Sequence, residues 1–168
     1  MGINIDYRSK GDDFKSMVKR LEAVNGLGVE VGVLQGEQKW LAAIHEYGLD
    51  IEVTDKMRKY LATQGLHLRK DTTHIHIPER SFLRTGYDKS RDELAEKVEQ
   101  MLIDVYEGRM DAEALLKGVG LELSSAIKDY AVELSKPANH PFTIEQKGSS
   151  NPLVDTGDMI GGITWRKA

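Results

Sequence analysis

The feature that most constrains the fold is a long stretch of helical periodicity that ends at a proline. Between Ser90 and Pro137, apolar residues recur at spacings of three and four, which is the spacing of one buried helical face. Gly108 divides this stretch, and Pro137 cannot continue a helix. We therefore predict two helices, which form either an antiparallel hairpin or one bent rod. A capping box at Ser90 begins the first helix, and Asp111 caps the second.

Short alternating segments on both sides of this stretch predict strands. The clearest one runs from Val29 to Val33, and another contains Ile75 and Ile77 and ends at Pro78, which lacks the amide that a ladder needs. These patterns predict an α+β fold with a small, mostly antiparallel sheet, helices on one side and a long helical hairpin. Further strands are expected near residues 3–7, 51–53, 142–144 and 163–165, and further helices near residues 14–24, 37–47 and 57–61.

The helix predicted before Gly48 has a defined apolar face. Trp40, Leu41, Ile44 and Tyr47 recur at spacings of three and four, so their side chains lie on one side of the helix. Gly48 stands where a C-cap belongs. The shared face and the C-cap together predict a helix from Glu37 to Tyr47.

Length and composition favour a single domain and exclude several functions. The 168 residues include no Cys, which excludes a disulfide framework, a thiolate zinc site and a cysteine nucleophile. The formal net charge of −4 argues against a protein that coats nucleic acid. No apolar run approaches the roughly 20 residues of a membrane helix. We predict one domain over residues 1–168, with a helical insertion at about 89–135 and a polar loop at about 136–152.

The segment Asp155-Thr156-Gly157 has the form of the aspartic-protease turn. Such enzymes need two carboxylates that share a proton, and a second copy of the chain could supply the other one. Only 11 residues follow Gly157, however, which leaves too little chain for the rest of such an enzyme. The simpler interpretation is a turn in which Asp155 bonds its own backbone.

The histidines offer a second and weaker indication of a catalytic site, namely a bound metal ion. His45 begins a zinc-protease pattern whose second His is missing. His67, His74 and His76 either bind a metal or belong to a solvated polar face, which is the simpler interpretation. We therefore expect no enzyme activity, no cofactor and no metal.

Cationic and apolar side chains are combined just after the strand that ends at Pro78. Arg80 and Arg84 flank Phe82 and Leu83. Arg and aromatic residues are enriched at the centres of protein interfaces, because guanidinium groups pair bidentately and rings bury a large area. Phe82 and Leu83 either join the internal core, with solvated arginines beside them, or contact a neighbouring subunit, and we favour the second.

Two composite motifs are separated along the chain. The first combines residues 44–48 (Ile-His-Glu-Tyr-Gly) with residues 77–84 (Ile-Pro-Glu-Arg-Ser-Phe-Leu-Arg), and the second combines residues 153–159 (Leu-Val-Asp-Thr-Gly-Asp-Met) with residues 163–165 (Ile-Thr-Trp). Both resemble one family, the tailed-bacteriophage neck and tail-completion proteins, also called virion morphogenesis or minor tail components. The first is similar to the family's Glu-aromatic-Gly turn and Ile-Pro-x-Arg-x-Phe-Leu segment, and the second to its C-terminal Leu-x-Asp-Thr-Gly-x-Leu segment and Ser-Ile-Thr-aromatic strand. Gly162 departs from the pattern, since the family often has Ser there.

The resemblance implies a structural protein of the virion, located at the neck or the head-proximal end of the tail and in the host cytoplasm during assembly. It implies a ring of about six copies that completes or terminates the tail and is needed for head–tail joining. Its implied partners are the tail tube protein and the head connector or head-closure proteins, and DNA passes through without sequence-specific binding. A connector adaptor or head-closure protein, and more remotely an aspartic-type hydrolase, are the alternatives. The residues assigned to subunit contacts are Arg80, Phe82, Leu83, Arg84, Asp155, Thr156, Met159 and Trp165.

Overall fold

The computed structural model describes the backbone from residue 7 to residue 168 and the side chains from residue 13. Within this range the chain forms seven helices and four short strands. In chain order they are α1 (Tyr7–Val24), β1 (Val29–Val33), α2 (Gln38–Tyr47), β2 (Leu49–Glu52), α3 (Asp55–Thr63), β3 (His74–Ile77), α4 (Phe82–Tyr106), α5 (Ala112–Glu133), α6 (Pro141–Lys147), α7 (Asp158–Gly161) and β4 (Ile163–Lys167).

The fold is α+β, as predicted, and its strands form two separate antiparallel pairs. β1 pairs with β4, where Val31 lies opposite Trp165. β2 pairs with β3, where Ile51 lies opposite Ile75. The two long helices, α4 and α5, reverse direction at Gly108 and pack side by side, so the predicted helical stretch is a hairpin and not a bent rod.

The core lies where α5 is packed between α4 on one side and the β1–β4 pair on the other. Phe82 at the start of α4 and Ala131 in α5 are both 0% exposed, and Ile163 of β4 is 1% exposed. The hairpin is therefore a central part of the core. The remaining buried residues of this cluster are Val33, Ala42, Leu123, Ile127, Leu134, Leu153, Met159 and Ile160.

Glycines allow α5 to approach its neighbours closely. A Cβ atom on Gly86 of α4 would lie 3.3 Å from the Cα of Ile127 in α5, which is tighter than ordinary van der Waals contact. A Cβ on Gly120 would overlap the indole ring of Trp165. Glycine within a helix costs about 1 kcal/mol relative to alanine. The close packing of the two helices and of β4 is what offsets that cost.

The start of α4 corrects the prediction that the helical stretch begins at Ser90. The helix begins at Phe82, and Ser90 lies inside it, where its hydroxyl donates to the carbonyl of Gly86 at 2.9 Å. The pattern Ser90-x-x-Glu93 is therefore not a capping box here. The end of the first helix and the start of the second were predicted correctly, because the carboxylate of Asp111 accepts the amide of Ala114 at 2.8 Å.

Two predicted strands are not confirmed. Residues 142–144 belong to α6, which has Pro141 at its first turn, an imidazole cap from His140, and Gly148 in the left-handed conformation at its end. Proline at the start and glycine at the end are typical of a helix. In the predicted N-terminal strand, Ile3 and Ile5 lie outside the described residues, and Tyr7 begins α1.

Residues 49–77, comprising β2, α3, β3 and the connections between them, form an arm. Their packing is almost entirely internal to the arm, and none of these residues is buried. Arg58 holds the connection after α3 by donating to the carbonyls of Arg69 and Thr72, both at 2.7 Å. The arm therefore has internal order but contributes nothing to the core.

Candidate functional site

Gly48 brings two distant segments into contact. It follows α2 with φ of +73°, in the left-handed region that favours glycine. A Cβ atom there would lie 2.9 Å from the carbonyl oxygen of Ile77 and 3.0 Å from the amide of Glu79. The same contact is fixed by the amide of Arg80, which donates to the carbonyl of His45 at 2.7 Å. The end of α2 and the segment before α4 thus form one junction.

Glu46 is the centre of this junction and caps α4 from outside that helix. Its side chain is only 3% exposed. One carboxylate oxygen accepts the amide of Leu83 at 2.8 Å, and the other accepts the hydroxyl of Ser81 at 2.8 Å and the amide of Arg84 at 3.2 Å. The first amides of a helix have no partner within it, and a negative charge is favourable near them. Glu46 therefore determines where α4 begins.

Arg84 closes the same network from the solvent side. Its guanidinium donates to the carboxylate of Glu46 at 2.8 Å, to the carbonyl of Glu46 at 3.0 Å, and to the carboxylate of Glu79 at 2.7 Å. The hydrogen bond to Glu46 is the main reason that the pKa of Arg84 is raised. The guanidinium also lies over the ring of Tyr47, 4.9 Å from its centroid.

Arg80 points inward and ties down the segment after α5. It is 4% exposed and donates to the carbonyls of Pro137 at 2.8 Å and Ala138 at 3.2 Å, and to the side chain of Asn139 at 3.1 Å. Among the described residues it forms no ion pair with a carboxylate. Burial accordingly lowers the pKa of Arg80. Its neutral oxygen partners hold the start of the polar loop against the junction.

His45 lies beside Arg80 as a neutral imidazole. Burial, and then the charges of Arg80 and Lys147, lower its pKa to about 4. Its Nδ1 lies 3.3 Å from the guanidinium of Arg80. Because the guanidinium can only donate, Nδ1 is the acceptor and the proton of the neutral ring is on Nε2. The junction is therefore adapted to an uncharged histidine.

We expect stability to depend on pH through His45. In the unfolded chain the imidazole has its ordinary pKa of 6.5, and in the folded chain it has a pKa of about 4. Between these values the unfolded state binds a proton that the folded state does not, so the contribution is complete above the unfolded pKa and is lost as pH falls toward the folded one. Thermal unfolding at about pH 7.5 and about pH 5 should show a larger loss of stability for the natural chain than for His45→Gln.

The control for that measurement is His67→Gln, because His67 is exposed and its side chain forms no hydrogen bond or ion pair among the described residues. This variant should keep the pH dependence of the natural chain. Equal pH dependence in the natural chain and in His45→Gln would contradict the assignment.

The structure corrects three of the assignments to subunit contacts. Phe82 is 0% exposed, Met159 3% and Arg80 4%. Phe82 and Met159 belong to the hydrophobic core, and Arg80 is bonded to the loop after α5. Side chains so enclosed by their own subunit do not reach a neighbouring one. Of the two interpretations of Phe82, the internal core is the correct one.

The other five assigned residues remain accessible to different degrees. Arg84 is exposed and Leu83 is half-buried at the edge of the junction. Asp155 and Thr156 are exposed in the turn before α7, where the hydroxyl of Thr156 donates to the carboxylate of Asp158 at 2.7 Å. Trp165 is half-buried against Gly120. The junction does not include Asp155, Thr156 or Trp165.

The apolar face predicted for α2 is not the face that packs inward. Ala42 and Glu46 are the buried residues of α2, while Trp40 is 69% exposed and Tyr47 68% exposed. Trp40 and Tyr47 are two turns apart and share one face. Because Glu46 must reach the start of α4, the helix is rotated so that its aromatic side chains face solvent. With the guanidinium of Arg84, they form what we call the aromatic patch (Trp40, Tyr47 and Arg84).

Sequence reasoning missed Glu46 as the central residue. The sequence places Glu46 in an incomplete zinc motif and in the segment that resembles the phage family, without a structural role in either, and in the structure Glu46 caps a helix. The available signal was that Glu46, two residues before Gly48, and Arg84 belong to the two halves of one motif and carry opposite charges.

His74 and His76 flank Ile75 on β3 as predicted. No group of three or more His, Cys, Asp or Glu side chains in the described range is close enough to hold a metal ion.

The described helices include none that is long and apolar enough to cross a membrane. No family model, curated protein or solved structure matches this chain.

Proposed function

We propose that this chain is a structural component of a tailed-phage virion, which assembles as a ring at the neck or the head-proximal end of the tail and completes or terminates it for head–tail joining. One observation carries the proposal. The two separated parts of the first segment that resembles the phage family, residues 44–48 and 77–84, form a single hydrogen-bond network through Glu46. Chance similarity gives no reason for two such segments to contact each other.

The second resembling segment supports the same proposal. Leu153 and Met159 lie in the same buried cluster as Phe82, together with Ile163 at the start of β4. Both segments therefore contribute contacts that join the β1–β4 pair, α2 and the start of α4 into one packed unit. An architecture of this kind offers a rigid subunit, as a component that must repeat around an axis requires.

The aromatic patch is the surface that we assign to contact between subunits. Trp, Tyr and Arg are the residue types most enriched among energetically dominant interface residues. Trp40 and Tyr47 are both more than two-thirds exposed in the isolated chain. The position of Arg84 is fixed by Glu46 and Glu79, so it loses little freedom on binding.

We expect Trp40→Ser/Tyr47→Ser to abolish ring formation and to leave the free energy of unfolding nearly unchanged, because both side chains are exposed. Light scattering after size-exclusion chromatography, with negative-stain images, measures the assembly. The matched control is Tyr87→Ser, an exposed aromatic residue of α4 that should leave assembly intact. Rings formed equally well by the double variant would refute the role of the patch.

The alternative functions give different results in the same preparations. Sedimentation with isolated tails supports a tail-completion protein, and sedimentation with isolated heads supports a connector adaptor or head-closure protein. A hydrolase related to aspartic enzymes predicts peptide cleavage that is lost in Asp155→Asn. A natural chain that remains monomeric at all concentrations, and sediments with neither heads nor tails, would contradict the proposed function.

A further inference from the structure

Within the arm, α3 and the connection after it present a basic surface that pairs with no carboxylate among the described residues. Residues 54–70 contain five Lys and Arg residues against one Asp, a net charge of +4 with His67 neutral, whereas the whole arm has a net charge of +1 because Asp50, Glu52 and Asp71 lie outside that range. Lys56 and Lys59 lie on α3 and are exposed, and neither forms an ion pair among the described residues. Tyr60, one residue after Lys59, is 63% exposed. One side of α3 thus combines positive charge with an aromatic ring.

The hairpin of α4 and α5 has the opposite charge. Residues 82–133 contain twelve Asp and Glu residues against seven Lys and Arg, a net charge of −5. Asp92, Glu96, Glu99 and Ile103 recur at spacings of four, three and four on α4, so they form one stripe on its surface. All four are exposed, and Ile103 is 40% exposed. This acidic stripe (Asp92, Glu96, Glu99 and Ile103) faces away from α5.

The basic side of α3 and the acidic stripe are therefore complementary in charge and similar in construction. Each is a helical surface with charged residues in neighbouring turns and an exposed apolar side chain beside them. Because the two surfaces differ, a contact between them is heterologous, and repetition of a heterologous contact by rotation closes a ring. Complementary charge raises the rate of such an encounter and fixes its register.

We propose that α3 of the arm docks on the acidic stripe of α4 in the next copy of this chain. The inference rests on the proposed ring and names its second contact, with Lys56 and Lys59 opposite Glu96 and Glu99 and with Tyr60 against Ile103. The arm is ordered in advance by Arg58, which limits the entropy lost on docking. The absence of buried residues in the arm is explained, since its packing partner is another subunit.

Charge reversal tests this contact directly. In Lys56→Glu/Lys59→Glu, two repulsive contacts replace two attractive ones, and we expect the concentration for half-assembly to rise at least about tenfold. Glu96→Lys/Glu99→Lys should show the same defect. The variant that carries all four changes should recover assembly, because the pairs are restored with opposite signs. Light scattering over a dilution series measures each value, and circular dichroism verifies that each variant is folded.

The matched control is Lys15→Glu/Lys19→Glu, which changes the charge of two exposed lysines on α1 by the same amount. It should assemble like the natural chain. If the natural chain forms rings and the arm variant forms them equally well, or if the four-change variant does not recover, this contact is refuted and the ring stands. If the natural chain forms no ring, the proposed function fails first.

Discussion

Phe82→Ala should destabilise the isolated subunit by about 4 kcal/mol, because removal of a buried phenylalanine loses its transfer free energy and leaves a cavity. Phe82 is 0% exposed in a cluster that includes Ile127 and Met159. It also lies at the first position of α4, so the cavity would adjoin the capped helix end. Urea unfolding at a protein concentration too low for assembly measures this change in the subunit alone.

The control for this variant is Tyr87→Ala in the same helix, where the side chain is 43% exposed. Its free energy of unfolding should change by less than about 1 kcal/mol. A Phe82→Ala subunit that keeps its stability and fails to assemble would restore the interface interpretation of Phe82. The comparison therefore distinguishes a core residue from an interface residue.

Glu46→Ala should destabilise the subunit by about 3 kcal/mol, since hydrogen bonds to a charged group contribute about 1.5–3 kcal/mol and several are lost together. The amides of Leu83 and Arg84 and the hydroxyl of Ser81 would lose their acceptor. Loss of the cap should also loosen the first turn of α4, which hydrogen exchange of the Leu83 and Arg84 amides would detect.

Two variants isolate the reason for this effect. Glu46→Gln keeps an acceptor of similar shape and removes the charge, so we expect a smaller loss of stability than with Glu46→Ala. Glu79→Ala removes the other carboxylate bonded to Arg84, but Glu79 is exposed, and the loss should be below about 1 kcal/mol. Equal losses for Glu46→Ala and Glu79→Ala would mean that the cap on α4 contributes little.

The position of the charge explains why these two glutamates differ. The carboxylate of Glu79 is in contact with water in both the unfolded and the folded chain, and water screens its attraction to Arg84. Glu46 is enclosed, and its oxygens are bonded to backbone amides that have no other acceptor. The same reasoning applies to the fold as a whole. The substitution of a polar residue lowers the stability of the fold most where it leaves buried polar groups without a hydrogen-bond partner.

Features decided by neighbours in the sequence were predictable. Thr54 accepts the amide of Met57 at 3.2 Å and begins α3, and Gly108 ends the first helix of the hairpin with φ of +77°. Pro78 ends β3 as expected. In each case a side chain or a backbone preference acts within a few residues, so the local pattern contains the whole cause.

Features decided by distant partners were not predictable from the pattern. α4 begins at Phe82 because Glu46, which lies 37 positions before Leu83, supplies the acceptor for the first amides of the helix. The same requirement turns α2, so Trp40 faces solvent although its spacing is typical of a buried face. The sequence by itself determined the α+β class, the two long helices divided at Gly108 and most helix ends, because short-range propensity and capping fix these. Only the tertiary structure decided which faces are buried, because a buried carboxylate must find its donors wherever the chain brings them.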